Sequence, residues 1–249
     1  MTSKRPDAAL VIIGNEILSG RTQDTNLNYL AKTLVGIGVR FAEARVVADI
    51  EDEIVIAVNE LRQKYDYVFT SGGIGPTHDD ITAAAIAKAF AVKLEFSEEA
   101  ASRMIKRYEK PSDFNDARKK MATIPKGANL IDNPISAAPG FAIENVYVMA
   151  GVPDIFRAMV DGVKSQLKGG KPVISVSVGI NLREGHIAEG LGRIQNGHPE
   201  VEIGSYPHIK GNKLGVSLVT RGEDIKQINK VVDEIKSLVS SLGGEVVKD

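Results

Sequence analysis

The chain has no cysteine and no tryptophan among its 249 residues, and aromatic side chains make up only 5% of it. Without cysteine there are no disulfides, thiolate zinc sites or cysteine nucleophiles, and a cytoplasmic protein is the default expectation. Any stacking on a ligand falls to Tyr and Phe. The formal net charge of −1 provides no global basic field, so neither nucleic acid nor an anionic membrane surface is expected as a partner. No apolar run approaches the ~20 residues that span a bilayer. The early stretch Ala8 to Ile13 soon meets Gly14 and Glu16, which a signal sequence would not do.

Several familiar motifs are missing too. The glycine loop near residue 72 lacks the Lys-Ser/Thr of a nucleoside-triphosphate loop, and Gly14 and Gly20 do not form the dinucleotide fingerprint. There is no Gly-x-Ser-x-Gly elbow and no His-Glu-x-x-His pair. His186, His198 and His208 are scattered; His78 abuts Asp79-Asp80 and reads as a solvated loop residue, a ligand or a proton carrier.

What is present is a regular alternation of strand and helix. Ala8 to Ile13 is apolar throughout, as a buried parallel strand is. A loop, Gly14 to Gly20, follows. Asp24 or Thr25 caps a helix with Leu27, Leu30, Ala31 and Leu34 in register, ending near Gly36 and Gly38. Val39 to Val47 is a strand, Ile50 to Lys64 an amphipathic helix, and Tyr65 to Thr70 a third strand. After the helix Ile81 to Phe90, Ser97 caps a helix through Lys110, broken by Pro111. The basic run Arg118-Lys119-Lys120 follows. Two short β-type pieces lie within Asn129 to Glu144, then a strand Val146 to Met149 and a helix Ile155 to Leu167. This pattern predicts an α/β three-layer sandwich with a mostly parallel sheet over residues 1–168. Past the linker Lys168 to Pro172, strands Val173–Ile180, Val201–Tyr206, Leu214–Thr220 and Glu245–Val247 alternate with helices Glu184–Gln195 and Asp224–Leu242. A turn at Lys210-Gly211-Asn212 joins the middle strands. The order βαββαβ predicts a small ferredoxin-like domain over 172–249, with no chemistry evident in it.

The stretch with most chemical content is Ser71-Gly72-Gly73-Ile74-Gly75-Pro76-Thr77-His78-Asp79-Asp80-Ile81-Thr82. Its glycines open the backbone to left-handed conformations and leave no Cβ between the amides and a ligand. A loop that opens a helix in this way suits phosphate. Asp79 and Asp80 supply carboxylates for a hard divalent cation; alternatively, Asp79 is a helix N-cap in a tight turn. Ligands of open α/β sheets lie beyond the carboxyl ends of the strands, where loops 14–20, 70–82, 133–140 and 150–154 are expected to converge. Glu16 lies in the first of these, where a carboxylate beside phosphate makes sense with a metal between them.

These motifs resemble the molybdopterin-binding (MoaB/Mog-like) domain superfamily, in particular its CinA amino-terminal type. The resemblance rests on Gly14 to Gly20, Asp24-Thr25-Asn26 and the segment 71–82. It continues through Lys120-Met121-Ala122, Ile124 to Ala128, Ala138-Pro139-Gly140-Phe141, Gly151-Val152-Pro153 and Ile203 to Pro207. The amidase domain of full-length CinA proteins does not follow Asp249. Three positions depart from the family pattern. Asn15 replaces an Asp, Ser136-Ala137 replaces Gly-Thr, and Ala150 replaces a Pro. The resemblance implies a nucleotide or pterin small molecule as partner, with Mg, Co or Mn as cofactor, and a homo-oligomer. It also implies either metal-dependent cleavage of ADP-ribose or FAD pyrophosphates, or adenylylation of molybdopterin; a catalytically silent binding module is the third reading. On the first, Asp79, Asp80 and Glu16 hold the metal and carry catalysis. The segment 71–77, Thr82, Asn26, Pro139, Gly140, Gly151 and Pro153 contact the substrate, and Arg118 or Lys119 offsets charge on the leaving phosphate.

Overall fold

The computed structural model describes residues 5–110, 113–210 and 213–247. Pro111, expected to break a helix, and the turn residues Gly211 and Asn212 lie outside the described residues. The chain divides into two compact units, Met1–Gly170 and Lys171–Asp249.

The first unit runs β1 (Asp7–Ile13), α1 (Asn15–Leu18), α2 (Asn26–Gly36), β2 (Arg40–Val47), α3 (Glu51–Lys64) and β3 (Tyr67–Ser71). It continues with α4 (Thr82–Ala89), β4 (Leu94–Phe96), α5 (Glu98–Ile105), α6 (Asp116–Lys120), β5 (Thr123–Pro125) and β6 (Asn129–Ile131). β7 (Gly140–Ile143), β8 (Val146–Met149) and α7 (Pro153–Val163) complete it. Six strands form one sheet in the order β2-β1-β3-β8-β7-β6. The pairs β1/β2, β1/β3 and β3/β8 are parallel, while β7 runs antiparallel to β8 and to β6. β1 explains the three layers. Its alternate residues point to opposite faces: Ala9, Val11 and Ile13 pack with Ile54, Val58 and Leu61 of α3 and Ile86 of α4. Ala8, Leu10 and Ile12 pack with Leu30 and Leu34 of α2 and Phe156 and Met159 of α7. A strand buried on both faces has no polar alternation to offer, which is why it reads as a continuous apolar run.

The second unit runs β9 (Ile174–Ile180), α8 (Glu184–Gly197), β10 (Glu202–Lys210), β11 (Lys213–Gly222), α9 (Ile225–Ser241) and β12 (Val246–Val247). Its antiparallel sheet has the order β10-β11-β9-β12, the ferredoxin-like arrangement. Ile228, Val231, Val232, Ile235 and Val239 of α9 pack with Val178, Val216 and Leu218 of the sheet, which uses the single apolar stripe of that helix. His198 is a core residue here, its Nε2 3.0 Å from Glu234 Oε1 and its ring only 6% exposed.

Local differences from the sequence reading have local causes. The segment after β1 contains the one-turn helix α1, because the Gly14 carbonyl accepts from the Ile17 and Leu18 amides. α5 stops at Ile105 rather than continuing through Lys110; beyond its last buried residue, Met104, the chain turns so that Tyr108 meets Phe114. β10 and β11 extend well past the short strands expected, since a nine-pair ladder continues to Lys210 and Lys213. β4 and β5 pair with one another outside the main sheet, and three-residue strands leave too little periodicity to be recognised.

Candidate functional site

β1 and β3 are neighbours in the sheet, but the chain leaves them toward opposite edges, so a crevice opens between their carboxyl ends. There β3 passes into Gly72 and Gly73, with φ of 111° and 67°. A Cβ on Gly72 would lie 2.2 Å from the Ile13 carbonyl oxygen, so only glycine lets this loop press against the end of β1. The loop is closed by Thr82, fully buried at the start of α4: its hydroxyl donates to the Gly72 carbonyl and its amide to the Gly73 carbonyl, both at 3.0 Å. Among the described residues no protein acceptor takes the amides of Gly73, Ile74 and Gly75.

Beside this loop lies a cleft of about 370 Å³, within the ~300–1,000 Å³ usual for small-molecule sites. All four loops expected at this edge line it. Glu16 comes from the first, residues 72–76 and Asp80 from the second, Asn133, Ser136 and Ala138 from the third, and residues 150–152 from the fourth. Ile155 in the first turn of α7 also lines it, so the positive end of that helix lies at the cleft.

The two carboxylates each fold over a glycine. A Cβ on Gly14 would be 2.6 Å from the Glu16 carboxylate oxygens, and a Cβ on Gly75 would be 2.6 Å from Asp80 Oδ2. Asp80 Oδ2 also accepts from the Thr77 amide at 2.8 Å and the Thr77 hydroxyl at 2.5 Å. Asp80 therefore braces the glycine loop from inside and does not cap α4, whose N-cap, Ile81, makes no side-chain cap. Asp79 does not cap it either; it is exposed, 4.0 Å from the fully exposed His78, and lies outside the residues lining the cleft. Among the described residues no group of three His, Asp or Glu side chains is arranged to hold a metal. Glu16 and Asp80 are the two carboxylates that line the cleft.

The remaining expected residues are distributed as follows. Asn26, 2% exposed at the start of α2, donates from Nδ2 to Ser71 Oγ and to the Gly151 carbonyl, each at 2.8 Å. It ties the end of β3 to the turn after β8, and its Oδ1 is buried without a partner. Pro153 is the first residue of α7. Pro139 faces a smaller crevice beside the glycine loop, and Gly140 begins β7, where a Cβ would meet the Val148 carbonyl oxygen at 2.4 Å. Arg118 and Lys119 do not line the cleft. The Arg118 guanidinium stacks 4.2 Å above the Tyr108 ring, and Lys119 pairs with Asp116 at 2.8 Å, both ends of that contact lying within α6.

Three further contributors lie outside the site residues the sequence singles out. Asn133 is the organiser of its loop: its Oδ1 accepts from the Ile135 and Ser136 amides, and its Nδ2 donates to Ser136 Oγ and the Ala138 carbonyl. The Asn-Pro pair at 133–134 is a turn signal that could have drawn attention to it. Met121 lines the cleft at the end of α6. Lys120, the third residue of the basic run, donates from Nζ to the Thr77 carbonyl.

Residues 9–169 match the model of the family described as a probable molybdopterin binding domain, and residues 172–244 match the FAD synthase middle domain. A protein of Archaeoglobus fulgidus is 34% identical over 93% of this chain and 97% of its own length. Probable FAD synthases of Caenorhabditis briggsae and Caenorhabditis elegans are 33% and 32% identical over 95% and 98% of this chain. The chain spans about half the length of these two relatives, 50% and 51%. The crystal structure of the protein CinA, of unknown function, from Thermoplasma acidophilum is 34% identical. It superimposes with a TM-score of 0.62 over 66% of this chain and 99% of its own.

Proposed function

The chain belongs to the molybdopterin-binding domain family, and from that premise we propose that its cleft binds the pyrophosphate of a nucleoside diphosphate derivative of the ADP-ribose or FAD type and hydrolyses it with a divalent metal. The observation that carries this reading is the pairing of free loop amides with two carboxylates, Glu16 and Asp80, in one cleft. Amides alone suit an anion; carboxylates beside them repel it unless a cation lies between. The similarity to probable FAD synthases along nearly the whole chain supports a nucleotide as the ligand.

In this reading the amides of Gly73, Ile74 and Gly75 and the first turn of α7 hold phosphate oxygens. Glu16 and Asp80 would hold magnesium, manganese or cobalt. Two carboxylates fit such an ion, which commonly takes its other ligands from water and substrate phosphate. When bound, the ion would polarise a phosphoryl oxygen and bring the pKa of a bound water toward ~7. Thr77 keeps Asp80 aimed through two hydrogen bonds to one oxygen, leaving the other free. Water adds to one phosphorus, the bond to the bridging oxygen breaks, and AMP leaves with ribose 5-phosphate or FMN as the second product.

A second reading, binding or adenylylation of molybdopterin, is supported by the description of the family itself. A product assay separates the two. AMP formed from ADP-ribose or FAD without pterin supports hydrolysis; ATP consumed only when molybdopterin is present supports transfer.

A further inference from the structure

The basic run on α6 sends its three side chains to different places. Arg118 is occupied by the Tyr108 ring and the Asp113 carbonyl, and Lys119 by Asp116. Lys120 alone crosses to the glycine loop, where its ammonium donates to the Thr77 carbonyl. It lines a narrow crevice with Gly73, Gly75 and Asp80, three residues that also line the main cleft.

The partner of Lys120 matters. An ammonium has three donors, and here the one described hydrogen-bond acceptor is a neutral carbonyl, with the Asp79 carboxylate near enough to feel its charge. A charge-assisted bond to a phosphate oxygen is roughly twice as strong as a neutral one, so an anion in the loop outcompetes or supplements that carbonyl. Thr77 is also the residue that orients Asp80. Lys120, the Thr77 peptide and the Asp80 carboxylate therefore form one connected chain along the loop.

We propose that Lys120 is the cation that meets the pyrophosphate, the role the sequence suggested for Arg118 or Lys119. This rests on the reading of the cleft as a pyrophosphate site. It adds the source of positive charge that the loop amides lack, and it makes α6 part of the binding wall.

The test compares wild type with Lys120→Met and Lys120→Arg in the full chain, with Lys126→Met removing the same charge elsewhere, at a residue paired with Glu95. Calorimetry with ADP in its non-hydrolysable α,β-methylene form, in magnesium, reads binding without turnover, and adenosine serves as the phosphate-free probe. The expected result is a loss of ADP affinity of about tenfold or more in Lys120→Met, the scale of one charge-assisted bond. Adenosine affinity stays unchanged, Lys120→Arg recovers most of the loss, and Lys126→Met binds ADP as wild type does. Equal ADP affinity in wild type and a folded Lys120→Met overturns the role of Lys120. If Lys120→Met does not fold, Lys120→Arg and Lys120→Gln decide: equal affinities in those two overturn it. Wild type that binds ADP through Lys120 but hydrolyses nothing removes the hydrolytic reading and leaves this role standing. Wild type that binds neither ADP nor inorganic pyrophosphate contradicts both.

Discussion

The Asp80 carboxylate occupies the space that a side chain on Gly75 would need, with Oδ2 2.6 Å from where that Cβ would stand. The same oxygen takes both donors of Thr77. Gly75 is therefore required for the placement of Asp80 as well as for access to the loop amides. Gly75→Ala is expected to push the carboxylate aside, at little cost in stability because the displaced group is the end of a flexible side chain. Turnover should fall by at least about tenfold, while thermal unfolding changes by no more than a few degrees. Hydrolysis rates of wild type and variant, with melting curves alongside, check this.

The two adjacent acids should behave differently. Asp80 lines the cleft and Asp79 does not, although both follow the loop in sequence. Asp80→Asn keeps the shape but removes the charge, and is expected to lower hydrolysis about a hundredfold or more, the usual scale for losing a preorganised electrostatic group. Asp79→Asn should stay within about threefold of wild type, as befits an exposed acid that does not line the cleft. Steady-state kinetics on both variants in parallel give the comparison; equal losses in the two would remove the distinction.

Asn26 predicts a structural effect at the cleft. It joins Ser71 Oγ to the Gly151 carbonyl from a buried position. Asn26→Ala leaves that carbonyl without its donor, which costs roughly 1–3 kcal/mol. Asn26→Asp is expected to cost more, because a carboxylate oxygen would then face the carbonyl oxygen of Gly151. Urea denaturation followed by circular dichroism ranks the three proteins, and the prediction is wild type above Asn26→Ala above Asn26→Asp.

Much of this could be read from the sequence. The apolar run of β1, the helical stripes of α3 and α9, and the glycine turn after β3 are all strong local signals. They were enough to bring four loops to one sheet edge. What could not be read depends on side-chain direction. Arg118, Lys119 and Lys120 are adjacent in the chain, and only the three-dimensional course of α6 decides that Lys120 faces the loop. Asp79 and Asp80 are likewise separated by which one folds back on Gly75. Asn133 leaves little signal of its own because its role is to satisfy its own loop, a set of short-range bonds with no periodicity. β4 and β5 are too short to leave a pattern.

Stability should depend on Glu43 in acid. The hydroxyl of Tyr65, the ammonium of Lys64 and the guanidinium of Arg45 all donate to its carboxylate, at 2.6, 2.9 and 2.8 Å. Together, with the tyrosine the largest contributor, they lower its pKa from 4.5 to about 2. A carboxyl depressed in the folded state stabilises fully above its unfolded pKa and loses that contribution as pH falls from about 4.5 toward 2. Glu43→Gln is expected to cost about 1 kcal/mol at pH 7, a modest figure because the group is partly solvated. The gap between wild type and variant should narrow below pH 4. Denaturation at pH 7 and pH 3 checks the sign, and a gap that stays the same in acid would show that the charge on Glu43 contributes nothing to stability.

Pyrophosphate hydrolysis in this cleft is read out by incubating the purified chain with ADP-ribose and with FAD across magnesium, manganese and cobalt, and measuring AMP. AMP release is expected that requires a divalent metal, stops on addition of EDTA and is lost in Asp80→Asn. Absence of AMP from either substrate with every metal, from protein that is folded and binds ADP, would contradict it.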